Sequence, residues 1–203
     1  MSARLRLLLW TLPLVALLVA AGAYLGRRPD EGADAADPPL RDPVPVGDFA
    51  LVERSGRTVR RSDLLGKVWI ADFVFTRCPG PCPILTREMK RLANDLPPDV
   101  RFVSITVDPE YDTPEVLTTY ADSCGAEAGR WLFLTGEKEA VYDLIRKGFS
   151  DFVEPEPGGV AHSKRFFLVD RAGGIRGSYM GDDVGQVERL KRDVRRLLRE
   201  PPG

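Results

Sequence analysis

Apolar positions along this chain recur at two spacings, and the switch between them marks out the elements. Val68 to Phe75 is a short apolar run with the length of a buried strand. The chain then passes through Cys78-Pro-Gly-Pro-Cys82-Pro83. Beyond it, Ile84, Leu85, Met89 and Leu92 fall on one side of an amphipathic segment, so Pro83 to Leu96 is expected as a helix. Pro97-Pro98 stops it. A strand, a tight loop and a helix start are therefore predicted around two cysteines with three residues between them.

The same reading extends in both directions. Phe49 to Val52 and Thr58 to Arg60 flank Arg54-Ser55-Gly56-Arg57 and predict a hairpin. Asp63 to Gly66 predicts a turn or short helix. Downstream, Val100 to Val107 is a strand ended by Asp108-Pro109. Thr113-Pro114-Glu115 opens a helix that runs to about Cys124. Trp131 to Leu134 is a strand, and Glu139 to Lys147 a helix. Ser150 to Gly159 reads as an acidic loop in which Glu154 and Glu156 are solvated. Arg165 to Val169 and Ile175 to Tyr179 are strands about the turn Asp170 to Gly174, and Val184 to Leu198 is a final amphipathic helix.

Strands alternating with helices predict an α/β domain with a mainly parallel sheet, and the late hairpin adds an antiparallel edge. This order is similar to a thioredoxin-like fold: a central mixed sheet flanked by helices, preceded by an N-terminal hairpin. The cysteines would stand at the carboxyl end of a strand, where open α/β sheets place their sites.

Two stretches precede this domain. Leu7 to Leu25 is apolar except at Thr11, Pro13 and Gly22, and is flanked by Arg4 and Arg6 before it and by Arg27 and Arg28 after it. Its length suits a bilayer span, so residues 1–28 are expected to form an uncleaved transmembrane signal-anchor rather than a cleaved signal. The purely basic amino end favours an inside start with the remainder outside. Pro29 to Pro45 is rich in Pro, Asp, Ala and Gly and has no periodicity. Residues 29–45 are thus expected as a flexible linker and residues 46–203 as the folded domain.

Composition narrows the chemistry. The 203 residues carry 29 basic and 30 acidic side chains, a balance that argues against a nucleic-acid surface. Three cysteines are too few for a disulfide scaffold, and one histidine rules out a His-rich zinc site. Cys82 precedes Pro83 at the predicted helix start, where free N–H groups and the helix dipole favour a thiolate. Two thiolates suit either a soft metal ion or a reversible disulfide. Cys124, at the end of a predicted helix, is expected as a core or surface thiol.

Three ordered blocks carry a family resemblance. Asp72-Phe73 with Thr76-Arg77-Cys78-Pro79-Gly80-Pro81-Cys82-Pro83 resembles the signature of the Sco/SenC proteins. Ser104 to Pro114 resembles their second block. Val160-Ala161-His162-Ser163, followed by Phe167 to Asp170 and Gly173, resembles their third. Gly47-Asp48-Phe49 and Leu65-Gly66-Lys67 also fit, so the likeness covers about residues 46–199.

The resemblance implies a membrane-tethered copper protein that helps load the binuclear copper site of cytochrome c oxidase. It implies Cys78, Cys82 and His162 as ligands of Cu(I) and Cu(II), with Cys78 and Cys82 also a redox-active pair able to form a disulfide. The implied partners are the copper-bearing oxidase subunit, other copper chaperones and thioredoxin-like reductants. The implied location is the inner membrane, single-pass, with the domain on the periplasmic side. One position departs from the pattern: Ala161 stands where Asp often precedes the family's histidine, a carboxylate that could orient the imidazole or aid partner docking. Asp108 and Asp112 have two readings, as support for the site or a partner, or as turn and helix caps.

Two enzymatic readings compete. A thiol-disulfide oxidoreductase would use the same cysteines, although its usual motif has two residues between them. A peroxidase would want Thr-x-x-Cys where this chain has Thr76-x-Cys78.

Overall fold

The computed structural model describes residues 40–77, 82–149 and 163–201, with Cys82 described by its backbone alone. The expected anchor, the first part of the linker, Cys78, the loop 150–159, Ala161 and His162 lie outside the described residues. No helix among the described residues is long and apolar enough to cross a membrane.

The domain is built on one eight-stranded sheet. In chain order the strands are β1 (Val44–Pro45), β2 (Ala50–Glu53), β3 (Thr58–Arg60), β4 (Trp69–Val74), β5 (Arg101–Thr106), β6 (Trp131–Thr135), β7 (Arg165–Val169) and β8 (Gly174–Met180). The helices are α1 (Arg61–Leu64), α2 (Cys82–Asp95), α3 (Pro114–Ser123), α4 (Lys138–Asp143, continued by a π turn over Leu144–Gly148) and α5 (Val184–Arg199). In space the strands run β1-β8-β7-β4-β5-β6-β2-β3. β4, β5 and β6 are parallel, and every other pairing is antiparallel.

β4 and β5 at the centre are buried almost throughout, as strands covered on both faces must be. Side chains alternate between two cores. Ile70 and Phe102 face one side with Leu85, Met89 and Leu92 of α2, Leu117 and Ala121 of α3, and Val187, Leu190 and Val194 of α5. Trp69, Ala71 and Phe73 face the other with Leu64 of α1 and Val141, Leu144 and Ile145 of the α4 segment.

The predicted hairpin is present, with Leu51 opposite Val59, and it extends the sheet by pairing β2 with β6. The domain, however, begins earlier than Val46. Val44 and Pro45 pair with Ile175 and Gly174 of β8, and the Arg41 N–H donates to Arg176 O at 3.1 Å. Leu40 packs against the core. The end of the segment expected as linker is therefore part of the sheet. Its partners lie more than a hundred residues downstream, beyond the reach of local periodicity.

Candidate metal centre

β4 delivers the chain to the cysteine loop, and the last described residues before Cys78 are tightly held. Asp112 is fully buried. Its Oδ2 accepts the Thr76 backbone N–H at 3.3 Å and the Thr106 hydroxyl at 2.5 Å, and its Oδ1 accepts the Thr76 hydroxyl. Thr106 in turn accepts the Asp108 N–H at 2.9 Å, and Asp112 N–H donates to Asp108 O at 2.9 Å. Arg77 lies beside this tie. Its Nη2 donates to Asp108 Oδ2 at 2.6 Å, and its guanidinium sits 3.9 Å from the centre of the Tyr111 ring. The loop after β5 thus grips the two residues that precede Cys78. Asp112 thus spends its oxygens on Thr76 and Thr106 rather than on a helix cap. Thr113, not Asp112, caps α3 by accepting the Val116 N–H at 3.4 Å, with Pro114 in the first turn.

On the far side of the loop, α2 begins at Cys82 itself, one residue earlier than the sequence pattern suggests. The backbone of Cys82 therefore stands at the helix N-terminus, where unpaired N–H groups stabilise an anionic sulfur. Its first turn is fixed by packing. Leu85 and Phe166 both press on Gly181, where an added Cβ would come within 2.5 Å of Leu85 Cδ2 and 2.8 Å of Phe166 Cε2.

The segment that carries His162 is fastened close by at both described ends. β7 is antiparallel to β4, with Ala71 opposite Phe167, so its first residues lie toward the carboxyl end of β4. Lys164 O accepts the Gly181 N–H at 2.8 Å. At the other end, Phe149 packs edge-on against Phe73 at 5.2 Å and against Phe167 at 5.0 Å. Ser163, next to His162, has a buried hydroxyl with no hydrogen-bond partner among the described residues.

Of the three predicted ligands, Cys78, His162 and the Cys82 side chain lie outside the described residues. The described elements that flank them, the end of β4, the start of α2 and the start of β7, meet at one end of the sheet. Among the described residues, no cluster of three or more His, Cys, Asp or Glu forms a metal site elsewhere. Cys124 does not join the site. It is half-buried, its Sγ donates to Ala121 O at 3.1 Å, and burial pushes its thiol pKa up, which keeps it neutral and unreactive.

One group stands out that the sequence pattern had left inside an apolar run. Asp72 lies in the middle of β4, fully buried. Its Oδ1 accepts the Ser104 hydroxyl at 2.6 Å, while Ser104 Oγ accepts the Trp131 indole N–H at 2.9 Å. Burial pushes the Asp72 carboxyl from 3.8 to about 7, and the Ser104 hydrogen bond offsets this only in part. A carboxylate within a buried strand was itself the signal, because such groups are rarely fully buried without a partner.

The comparisons with known proteins agree with this architecture. Residues 39–199 match the family model described as SCO1/SenC. The SCO1 protein homolog of Bacillus subtilis is 32% identical over 164 residues, which cover 77% of this chain and 85% of the relative. Among solved structures, BsSco, described as a member of the Sco family of cytochrome c oxidase assembly proteins with a disulfide switch, is 29% identical. It superposes with a TM-score of 0.67 over 80% of this chain and 99% of its own. Yeast Sco1 with copper bound is 27% identical, with a TM-score of 0.60 over 79% of this chain and 92% of its own. With the family match spanning most of its length, a thioredoxin-like sheet and the cysteine loop at the head of α2, this chain belongs to the SCO1/SenC family.

Proposed function

We propose that this protein is a copper metallochaperone that binds the ion through Cys78, Cys82 and His162 and helps deliver it to the binuclear copper site of cytochrome c oxidase. The observation that carries this reading is the convergence of three tethered elements at one end of the sheet. They are the Thr76–Arg77 turn that follows β4, the Cys82 start of α2 and the Lys164 entry to β7. The chemistry of the donor set fits the cargo. Two thiolates suit cuprous ion, and an added imidazole extends the site to cupric ion. The copper-bound yeast relative and the oxidase-assembly role of BsSco support the same assignment. In this reading residues 1–28 anchor the chain in the inner membrane and hold the domain on the periplasmic side.

The test is a copper titration of the reduced full-length chain against a competing chelator, with Cys78→Ser, Cys82→Ser and His162→Ala alongside. Tight one-to-one binding that weakens in all three variants is the expected result. Binding that ignores His162 would move the function to disulfide exchange by the cysteine pair.

A further inference from the structure

The last helix carries a charge pattern that copper binding, as proposed above, does not use. Along α5 the buried Val187, Leu190, Val194 and Leu197 face the core. Arg192, Arg195, Arg196 and Arg199 lie on the opposite side at i, i+3, i+4 and i+7, all exposed, so their guanidinium groups form one stripe. Like charges at this spacing repel one another. The chain as a whole has a formal charge of -1, so the stripe is a segregated patch and not the mark of a basic protein. The carboxylates around it are engaged elsewhere. Glu188 and Asp95 both hold Lys191, at 2.8 and 2.7 Å. Asp193 is buried against Tyr179 at 2.7 Å, and Glu200 accepts from Arg176 at 3.3 Å. Arg195, Arg196 and Arg199 make no ion pair among the described residues. The helix dipole favours cations within the last turn, which accounts for Arg196 and Arg199 but not for Arg192 and Arg195.

The place of the stripe decides what covers it. The Arg176 guanidinium on β8 donates both to the Arg41 carbonyl at 3.0 Å and to the Glu200 carboxylate at 3.3 Å. Leu40 packs on the core cluster that holds Leu190, Val194 and Leu197. The chain therefore enters the domain beside the end of α5. On the reading of residues 1–28 as a bilayer anchor, only Gly26 to Pro39 separate the apolar run from this point, a length of chain that reaches at most about 50 Å. A bilayer surface is thus held within reach of the stripe. The other end of α5 has the opposite character. Asp182 and Asp183 precede it, Glu188 follows in its second turn, and all three are exposed. There Val184 and Ile84 of α2 border one cleft, so the start of α5 lies beside the start of α2.

We infer that Arg192, Arg195, Arg196 and Arg199 form a docking face for anionic phospholipid headgroups, which seats the domain on the bilayer by the end of α5 and leaves the starts of α5 and α2 turned to solvent. Guanidinium groups suit phosphate, which they hold through paired N–H donors, and they stay charged at any physiological pH. The carboxylates at the start of α5 are repelled by the same surface, so attraction at one end and repulsion at the other set a single tilt. Salt screens these forces beyond about 8 Å at physiological strength, so the tether that keeps the domain near the surface is what lets them act. The choice of lipid as the occupant rests on the anchor reading. The stripe itself does not, and neither depends on copper being the cargo.

The test places the 15N-labelled full-length chain in lipid nanodiscs, one set of phosphatidylcholine alone and one mixed with phosphatidylglycerol, each with a trace of lipid bearing a spin label on its headgroup. The amide signals of Arg192 to Arg199 should broaden in the anionic discs and not in the neutral ones, and those of Ile84 and Val184 in neither. Each arginine at an anionic surface contributes about fivefold, so Arg195→Gln/Arg196→Gln/Arg199→Gln should weaken docking about a hundredfold and abolish the broadening. The three side chains are exposed, so the variant keeps its fold. Salt at about 1 M, which shortens the screening length to about 3 Å, should do the same in wild type. Equal broadening in both kinds of disc, or broadening that survives in the triple variant, overturns the inference. So does a response of these amides to polyglutamate with none to anionic lipid, which would give the face to an acidic protein. If the wild-type chain does not stay on neutral discs, the anchor reading fails. Retention on anionic discs that is lost in the triple variant then upholds the stripe, and no retention overturns it.

Discussion

Thr76 and Asp112 stand 36 residues apart in the chain, yet they are joined twice, by the Thr76 N–H at 3.3 Å and by its hydroxyl. This contact fixes the backbone two residues before Cys78 to the loop after β5. Asp112→Ala removes an acceptor shared by three donors, of which the Thr106 hydroxyl belongs to a fully buried side chain. A stability loss of about 3 kcal/mol is expected in urea unfolding, because buried donors left without acceptors carry their desolvation cost. Copper binding should weaken about tenfold or more, the usual effect of losing a group that orients a ligand. Asp112→Asn keeps one acceptor oxygen and should fall between wild type and Asp112→Ala. A titration in which Asp112→Ala binds copper like wild type would remove Asp112 from the site.

Asp72 makes stability depend on pH in a defined direction. Its carboxyl is raised from 3.8 to about 7 in the fold by burial. Below about pH 4 both the folded and unfolded chains hold the proton, and the group costs nothing. Between about pH 4 and 7 the unfolded chain releases the proton while the folded chain keeps it, so stability falls as pH rises. Above about 7 both are ionised and the full cost, about 4 kcal/mol, is present. Asp72→Asn lacks this term. Its stability relative to wild type should therefore rise from pH 4 to 8, measured by urea unfolding of reduced protein at each pH. Parallel curves for the two proteins would show that Asp72 stays ionised in the fold.

Most of this fold is legible from local pattern. The run through Trp69–Val74, the amphipathic positions Leu85, Met89 and Leu92, and the turn between β7 and β8 each announce their element. What escapes local pattern is long-range. The bonding of Arg41 to Arg176 and the pairing of Val44 with Ile175 join sequence-distant strands, and nothing in Pro29 to Pro45 signals them. The role of Asp112 escapes for the same reason, since its acceptors are spent on Thr76 and Thr106 rather than on the helix it precedes. The π turn at Leu144–Gly148 is also invisible to helical periodicity. There Gly148 sits where an added Cβ would be 3.1 Å from Leu144 Cδ1 and 3.5 Å from Val46 Cγ1.

The early start of the domain can be tested by truncation. A chain beginning at Val46 loses β1, the Arg41 N–H to Arg176 O bond at 3.1 Å, the Arg176 Nε to Arg41 O bond at 3.0 Å and the packing of Leu40. It also leaves one edge of β8 without a partner strand. Compared with a chain beginning at Leu40, it should be less stable by about 2 kcal/mol in urea unfolding, as expected for a few net hydrogen bonds and one apolar side chain. Equal stability would return residues 40–45 to the role of linker.

Gly181 offers a way to disturb the meeting of α2 and β7 without touching a ligand. A methyl group there would stand 2.5 Å from Leu85 Cδ2 and 2.8 Å from Phe166 Cε2, both side chains buried in the core. Neither has room to retreat, because each is packed on its far side by the cluster that includes Met89 and Leu168. Gly181→Ala should cost about 1–3 kcal/mol as overpacking. The strain falls on the first turn of α2 and on the strand that Lys164 enters, so it separates the backbone of Cys82 from the approach to His162. With the ligand set proposed above, in which copper(II) draws on the imidazole as well as the thiolates, copper(II) should then be held less tightly relative to copper(I) than in wild type. The check is a pair of competition titrations, one for each oxidation state, at a urea concentration of zero where the variant is fully folded. A proportional loss for both ions would mean that the variant only lowers the folded population. A selective loss for copper(II) would show that the packing of Leu85 and Phe166 against Gly181 bears on the oxidation state the protein prefers to hold.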